Sequence, residues 1–410
     1  MRSKRRSRID PRHRPRSRRR TPGSEAPPRA APRRRSRPRA LDRSGRAGSC
    51  AHSRGARACS GAPERCRSGG EGDKVAGCRR RERPFSGGPG HYERRGPRRV
   101  RVREGERLTE RHSADVDRTL RARDGRQIGF ASFGDPDGVP VFYFHGLVSS
   151  RLEGALAHAA ALRRNVRIVA LDRPGFGLSD PRPGHRIVDF ADDVEDVADA
   201  LGLRQFSLAS VSTGGPFALA TAARLPDRVR AISLISSPGP YREPASLVGM
   251  DIRSRVMLVW LPRFAPWLLA PIWNRLAQLS DRDPAGLLRL IADMMPSSER
   301  RAISSPEIAE VFMDSAYEAF RSGTDGVVME QRLLARDWGF AVRKVDAPVW
   351  LWHGEEDGAS PVTMARWLAA ELPKCRPRYL PGRGVIVAGD VMPEAIATLS
   401  WHWNSSGDAT

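Results

Sequence analysis

The chain has 410 residues, with 70 Lys or Arg against 47 Asp or Glu, a formal net charge of +23 at neutral pH. The charge is unevenly spread: residues 1–110 hold 35 basic and 11 acidic side chains, a net of +24, while residues 111–410 hold 35 and 36, a net of −1. This partition excludes reading the whole chain as a basic nucleic-acid-binding domain, and the length admits one large domain or two ordinary ones.

Residues 1–110 open MRSKRRSRIDPRHRPRSRRR and continue through APRRRSRPRA and FSGGPG, rich in Arg, Gly, Pro and Ser and without a sustained apolar period. Such a stretch cannot bury enough apolar surface to offset the entropy of ordering it. It is expected to be a disordered tail that, if translated, makes non-specific contacts with anions or nucleic acid. The composition equally fits translated upstream sequence with the start assigned too early. Met1 is followed by no methionine before Met250, so a start near residues 100–118 needs a non-Met codon, such as one at Val100, Val102 or Val116. Cys50, Cys59, Cys66 and Cys78 lie in this stretch without a CxxC pair, which argues against a zinc site. Cys375 is the one cysteine beyond it, so residues 111–410 need no disulfide and a cytoplasmic location is expected. The Arg-rich opening lacks the apolar stretch and cleavage site of a secretory signal.

A folded pattern begins near residue 117. DRTLRARDGRQIGFASFG predicts two short strands joined at Asp124-Gly125. VPVFYF, Val139 to Phe144, is a buried-strand run, and a helix is predicted from about Ser150 to Leu162. VRIVALD, QFSLAS and VRAISLIS are further strands, separated by the helical stretches IVDFADDVEDVADALG and GGPFALATAARL. Buried apolar strands alternating with helices predict an α/β fold, a mostly parallel sheet with helices on both faces. Residues 244–338 are helical in pattern and are expected to form an inserted helical cap between core segments 111–243 and 339–403. The second core segment carries APVWLWHG, VTMARWLAAEL, CRPRYLP and PEAIATLS, and residues 404–410 are expected to be a flexible C-terminus. The apolar piece Val256 to Trp273 contains Arg263, Pro262, Pro266 and Pro271, which predicts packing in the cap and no membrane span.

Four loops at strand ends carry the chemistry. LASVSTGGPFALA places Ser212 in a strand–turn–helix, where a hydroxyl is held above the sheet edge. Gly214 and Gly215 give the turn its room, and Ser210 is small enough to stand in it. FHGL can point the Leu147 backbone N–H into the cleft, where with the Thr213 N–H it would hold a developing oxyanion; His145 is expected to support this turn. In LDRPGFGLSD, Gly175 and Gly177 allow a tight loop that Asp172 or Arg173 can pin, and the third glycine of a nucleotide fingerprint is lacking. In WHGEEDGASP, Asp357 follows a late strand, where a carboxylate can orient an imidazole. The same residues taken singly read as a helix cap and a solvated loop acid.

Together, FHGLVSSR, LDRPGFGLSD, SVSTGG and WHGEEDGASP make residues 120–400 resemble the α/β-hydrolase superfamily, in particular its members with a helical cap. The resemblance implies Ser212 as nucleophile, Asp357 as the acid, and the Leu147 and Thr213 backbones as oxyanion hole. The chemistry implied is hydrolysis of a small or medium apolar ester, less readily an amide, through an acyl-enzyme. No metal or organic cofactor is called for. Serine at 212 argues against dehalogenase and epoxide-hydrolase chemistry, which use an acid there.

The resemblance also demands a histidine before the final helix, and there the sequence reads LPGRGVIVAGD, with Val385 in the expected place. Valine cannot carry a proton. Of the nine histidines, His402 alone lies beyond Asp357, and it is a weak substitute base that would have to fold back across the last helix. Three accounts follow: a pseudo-enzyme that keeps fold and pocket for a ligand, a slow hydrolase, or a sequence error at Val385. Triad loss can leave roughly 10³–10⁴-fold catalysis over water, which keeps the second account open.

Overall fold

The computed structural model describes residues 115–283, 286, 289 and 306–407. The basic segment 1–110 and its expectations lie outside them. The described residues include an eight-stranded sheet: β1 (Asp115–Arg121), β2 (Gln127–Gly134), β3 (Val139–Phe144), β4 (Val166–Leu171), β5 (Phe206–Val211), β6 (Val229–Ile235), β7 (Val349–Gly354) and β8 (Cys375–Leu380). The spatial order is β1-β2-β4-β3-β5-β6-β7-β8. β1 and β2 run antiparallel to their neighbours, and β4 through β8 are joined by parallel pairs. The predicted hairpin turns through Gly125, and Pro377 is accommodated because β8 is an edge strand.

Burial explains the continuous apolar runs. Val141 and Tyr143 face one side of β3, Phe142 and Phe144 the other, so both alternations are covered. On the first side lie α1 (His158–Arg163) and the last helix; on the other lie α2 (Phe190–Ala200) and α3 (Gly214–Arg224). Phe142 meets Phe206 edge-on at 4.7 Å, and Phe190 meets Phe144 and Phe217 at 5.1 and 5.5 Å. Burying each such ring contributes about 2–3 kcal/mol.

β3 and β5 are neighbours, yet the chain leaves them in opposite directions across the sheet. Their carboxyl ends therefore bound a crevice at a switch point. Between β6 and β7 the described residues form helices and no strand, including α4 (Leu269–Arg282), α5 (Pro306–Ala319) and α6 (Asp325–Leu334). Phe176, Leu269, Trp273, Ala319 and Val327 make a separate apolar cluster against Leu147 and Val148, so this insertion packs beside the end of β3. Among the described residues no single helix is long and apolar enough to cross a membrane. Ile252–Phe264 and Pro266–Ser280 pass that test together but bend by 117°.

Two local expectations differ from the structure. The stretch predicted as one helix from Ser150 is 3-10 over Arg151–Ala157 and α-helical only as α1, because Asp172 holds the Arg151 N–H at 2.7 Å and fixes the entry. α7 (Val362–Glu371) covers the β7 side as expected, whereas α8 (Ala388–Gly407) continues past residue 403. Its last turns are held by His402 against Trp350 and by Arg230 over the Trp403 ring, so residues 404–407 are helix where a flexible end was expected. The helices on either side of Ala265 are separate, with Pro262 and Pro266 flanking the bend.

Candidate active site

Ser212 closes β5 with φ +49°, a left-handed conformation that a non-glycine residue adopts at a cost of about 1–3 kcal/mol. The surroundings impose it. The Ser212 N–H donates to the Ile235 carbonyl at 2.8 Å, and its own carbonyl accepts from Gly215 N–H at 3.0 Å. A β-carbon on Gly214 would stand 2.3 Å from the Phe144 carbonyl oxygen, so helix α3 starts against the end of β3 only because that residue is glycine. Ser210 is buried and its hydroxyl donates to the Ser233 carbonyl at 3.4 Å, which gives the small side chain a place in the turn. Ser212 itself is half-buried.

The end of β3 lies alongside. Phe144 pairs with Ser210 in register, which sets His145–Leu147 beside the serine turn. Among the described residues no acceptor is bonded to the backbone N–H of Leu147 or Thr213. His145 is buried, with Nδ1 2.7 Å from the Gly146 carbonyl and Nε2 accepting the Arg173 N–H at 3.4 Å. Burial, then the Arg173 charge, holds its pKa well below the usual imidazole value, so the ring is neutral and braces the turn.

A buried ion pair ties the insertion to this turn. Arg173 Nε meets Glu330 Oε2 at 2.6 Å, and Nη2 meets Oε1 at 2.8 Å. The same guanidinium donates to the His145 and Gly146 carbonyls at 2.5 and 3.0 Å. Glu330 Oε1 also accepts the Thr213 hydroxyl at 2.8 Å. Burial raises the Glu330 pKa and Arg173 opposes the rise. A second pair repeats the device: Arg151 bonds Asp172 at 2.8 Å and Glu318 of α5 at 2.7 Å. Asp172 pins the Gly177 loop as expected, and a β-carbon on Gly177 would lie 2.2 Å from its carboxylate. The sequence did not single out Glu318 or Glu330. Their only signal was acid residues on otherwise amphipathic helices.

Asp357 is 4 % exposed, and its Oδ1 accepts the Ala359 and Ser360 N–H groups at 2.9 and 2.8 Å. Its Oδ2 lies 3.9 Å from His353 Nε2, but that nitrogen is 2.6 Å from the Ser360 carbonyl. Burial pushes the His353 pKa down to about 4. Tyr241, also buried, is held above its ordinary pKa by burial and then by the carboxylates of Asp357 and Glu330.

The loop after β8 turns back onto the end of β7. Glu356 N–H donates to the Arg383 carbonyl at 2.8 Å, and a β-carbon on Gly354 would lie 2.4 Å from the Arg383 and Gly384 carbonyls. Val385 follows at the head of a 3-10 turn, Val385–Val387, half-buried and aliphatic. His402 is not brought to Ser212. Its ring packs on Trp350, near the amino end of β7, while Ser212 stands at the carboxyl end of β5. His158 accepts the Gly134 N–H at 3.0 Å, and His185 Nδ1 lies 2.5 Å from the Arg182 carbonyl.

Residues 139–383 match the family model described as the alpha/beta hydrolase fold. The chain is 26% identical over 255 residues to a bifunctional esterase/perhydrolase from Acinetobacter calcoaceticus, covering 62% of this chain and 86% of that one. It is 35% identical over 124 residues to a non-heme chloroperoxidase from Streptomyces lividans, 30% of this chain and 45% of that one. Among solved structures, an alpha/beta hydrolase fold protein from Nakamurella multipartita superposes with a TM-score of 0.53 at 20% identity, over 69% of this chain and 99% of that one. The sheet order, the serine turn at the switch point and the family match agree: this chain belongs to the α/β-hydrolase superfamily.

Proposed function

We propose that the protein is a serine hydrolase acting on small or medium apolar carboxylic esters, with amides as poorer substrates. Ser212 Oγ attacks the ester carbonyl, and the N–H groups of Leu147 and Thr213 hold the negative charge that develops on its oxygen. The alcohol departs, leaving an acyl-Ser212, and water releases the acid. The observation that carries this reading is the left-handed Ser212 beside two backbone donors without protein acceptors. Asp357 is the acid of the arrangement, and Val385 stands where the relatives' pattern places the imidazole.

A fluorophosphonate probe tests the nucleophile. Wild type is expected to label covalently and Ser212→Ala to show no labelling and only background hydrolysis of p-nitrophenyl butyrate; equal labelling of the two proteins removes Ser212 from the reaction. Val385 favours a second reading, a binding protein that keeps the fold and holds an ester-like ligand. That reading expects ligand binding with no turnover above buffer.

A further inference from the structure

The interior holds one glutamate whose setting differs from the others. Among the described residues Glu318 and Glu330 each contact an arginine, whereas Glu153 has no cation within ion-pair distance. Glu153 lies on the 3-10 segment Arg151–Ala157 and is 9% exposed. Its Oε2 accepts the Gly146 N–H at 2.9 Å, in the turn that carries the oxyanion donors. A carboxylate kept in such a place without a counter-charge is costly unless it has a task.

The other oxygen lies beside the serine turn. The point where a β-carbon on Gly146 would stand lies 3.7 Å from Glu153 Oε1 and 3.7 Å from Ser212 Cβ. Apart from residues 145 and 147, no other heavy atom comes within 4 Å of it. Glu153 Oε1 and Ser212 Cβ therefore border the same point beside Gly146, and a water bridging the carboxylate and the hydroxyl would have an acceptor on one side and a donor on the other.

We propose that Glu153 is the general base of this protein, acting on Ser212 through one bridging water. As the Ser212 Oγ–carbon bond forms, the hydroxyl proton passes to the water and the water's proton to Glu153. When the carbon–alkoxide bond breaks, Glu153 returns a proton by the same route and the alcohol leaves neutral. In the second half the carboxylate takes a proton from the attacking water, and Ser212 Oγ recovers one as the acid departs. The inference rests on Ser212 being the nucleophile. Burial raises the Glu153 carboxyl to about 7, against the lowering effect of the Gly146 N–H and Arg173, so its ionised fraction changes across neutral pH.

The ionised form is the active one, so kcat/KM should rise with pH through about 7 and level off above it. The test uses the full chain and p-nitrophenyl butyrate from pH 5 to 9 with wild type, Glu153→Gln, Glu153→Asp and Ser212→Ala. Gln keeps an acceptor for the Gly146 N–H, and its thermal melt checks folding. Expected for Glu153→Gln is a fall in kcat of about 10²-fold, a KM within about twofold, and loss of the step near pH 7. Glu153→Asp keeps the charge at shorter reach, and should keep a pH step while losing rate; this reads the proposal if the Gln variant does not fold. Glu153→Gln within about threefold of wild type, or slowed with the step intact, overturns the base and leaves Ser212 standing. Full activity in Ser212→Ala, or no turnover by wild type, overturns the Ser212 reading and Glu153 with it.

Discussion

The corner around Ser212 and the corner around Val385 both lie at the carboxyl ends of the parallel strands and are built very differently. At the first, a strained backbone is held by the Ile235 carbonyl, by a glycine packed on Phe144, and by Glu330 gripping Thr213 from the insertion. At the second, the loop is fastened to β7 through Arg383 and Gly384, but the residues it delivers, Val385, Ile386 and Val387, carry no side-chain polar atom. Asp357 beside them is still held by two amides. The Ser212 turn is thus stabilised by packing and ion pairs that include no residue of the Val385 loop, and the serine geometry does not depend on the side chain at 385.

The sharpest way to break this contrast is Glu330→Ala, which strands Arg173 as an unpaired charge that is 1% exposed. Removing one partner of a buried pair costs about 3–5 kcal/mol, to be read as a lowered urea midpoint at unchanged m-value. A loss below about 1 kcal/mol would show that the Ser212 corner does not depend on the pair. Next in size is Val385→His, which gives the second corner the group it lacks. Ester hydrolysis should rise at least about tenfold, short of a full triad because about 1 Å of misplacement costs on the order of 10²-fold. The gain should vanish with Ser212→Ala and shrink with Asp357→Asn; a folded Val385→His protein with unchanged rates would count against this placement. The smallest effect is expected for Asp357→Asn in the wild-type background. With no imidazole to orient, kcat should change by less than about threefold, and Asn Oδ1 can still accept from residues 359 and 360. A large fall would mean that Asp357 already serves a proton carrier.

Much of the fold was legible because continuous apolar strands and strand-end motifs are local signals. VPVFYF, FSLASV and VWLWHG are buried on both faces, and each ends in a loop that the sequence marks by itself. The pairs that organise the site were not legible, because their partners are far apart in the chain. Arg173 and Glu330 are separated by 157 positions, and Arg151 and Glu318 by 167. Glu153 was hidden for another reason. Within a stretch expected to be a regular helix it looked like an ordinary polar residue, and its role depends on a 3-10 segment that turns it under Gly146. The end of α8 was misjudged because residues 404–407 read as a flexible end, while Trp350 and Arg230, on strands far upstream, hold His402 and Trp403 just before them.

The grip of Glu330 has a kinetic meaning. One carboxylate joins α6 to the residue after the nucleophile and, through Arg173, to the carbonyls that set the pose of the neighbouring turn. Under the proposed reaction, an acyl chain pressing α6 outward would therefore pull on the same backbone assigned to the reacting oxygen. In such an arrangement selectivity for substrate length is expressed in turnover, since a misfit shifts the donors that act in the transition state more than the surfaces that hold the ground state.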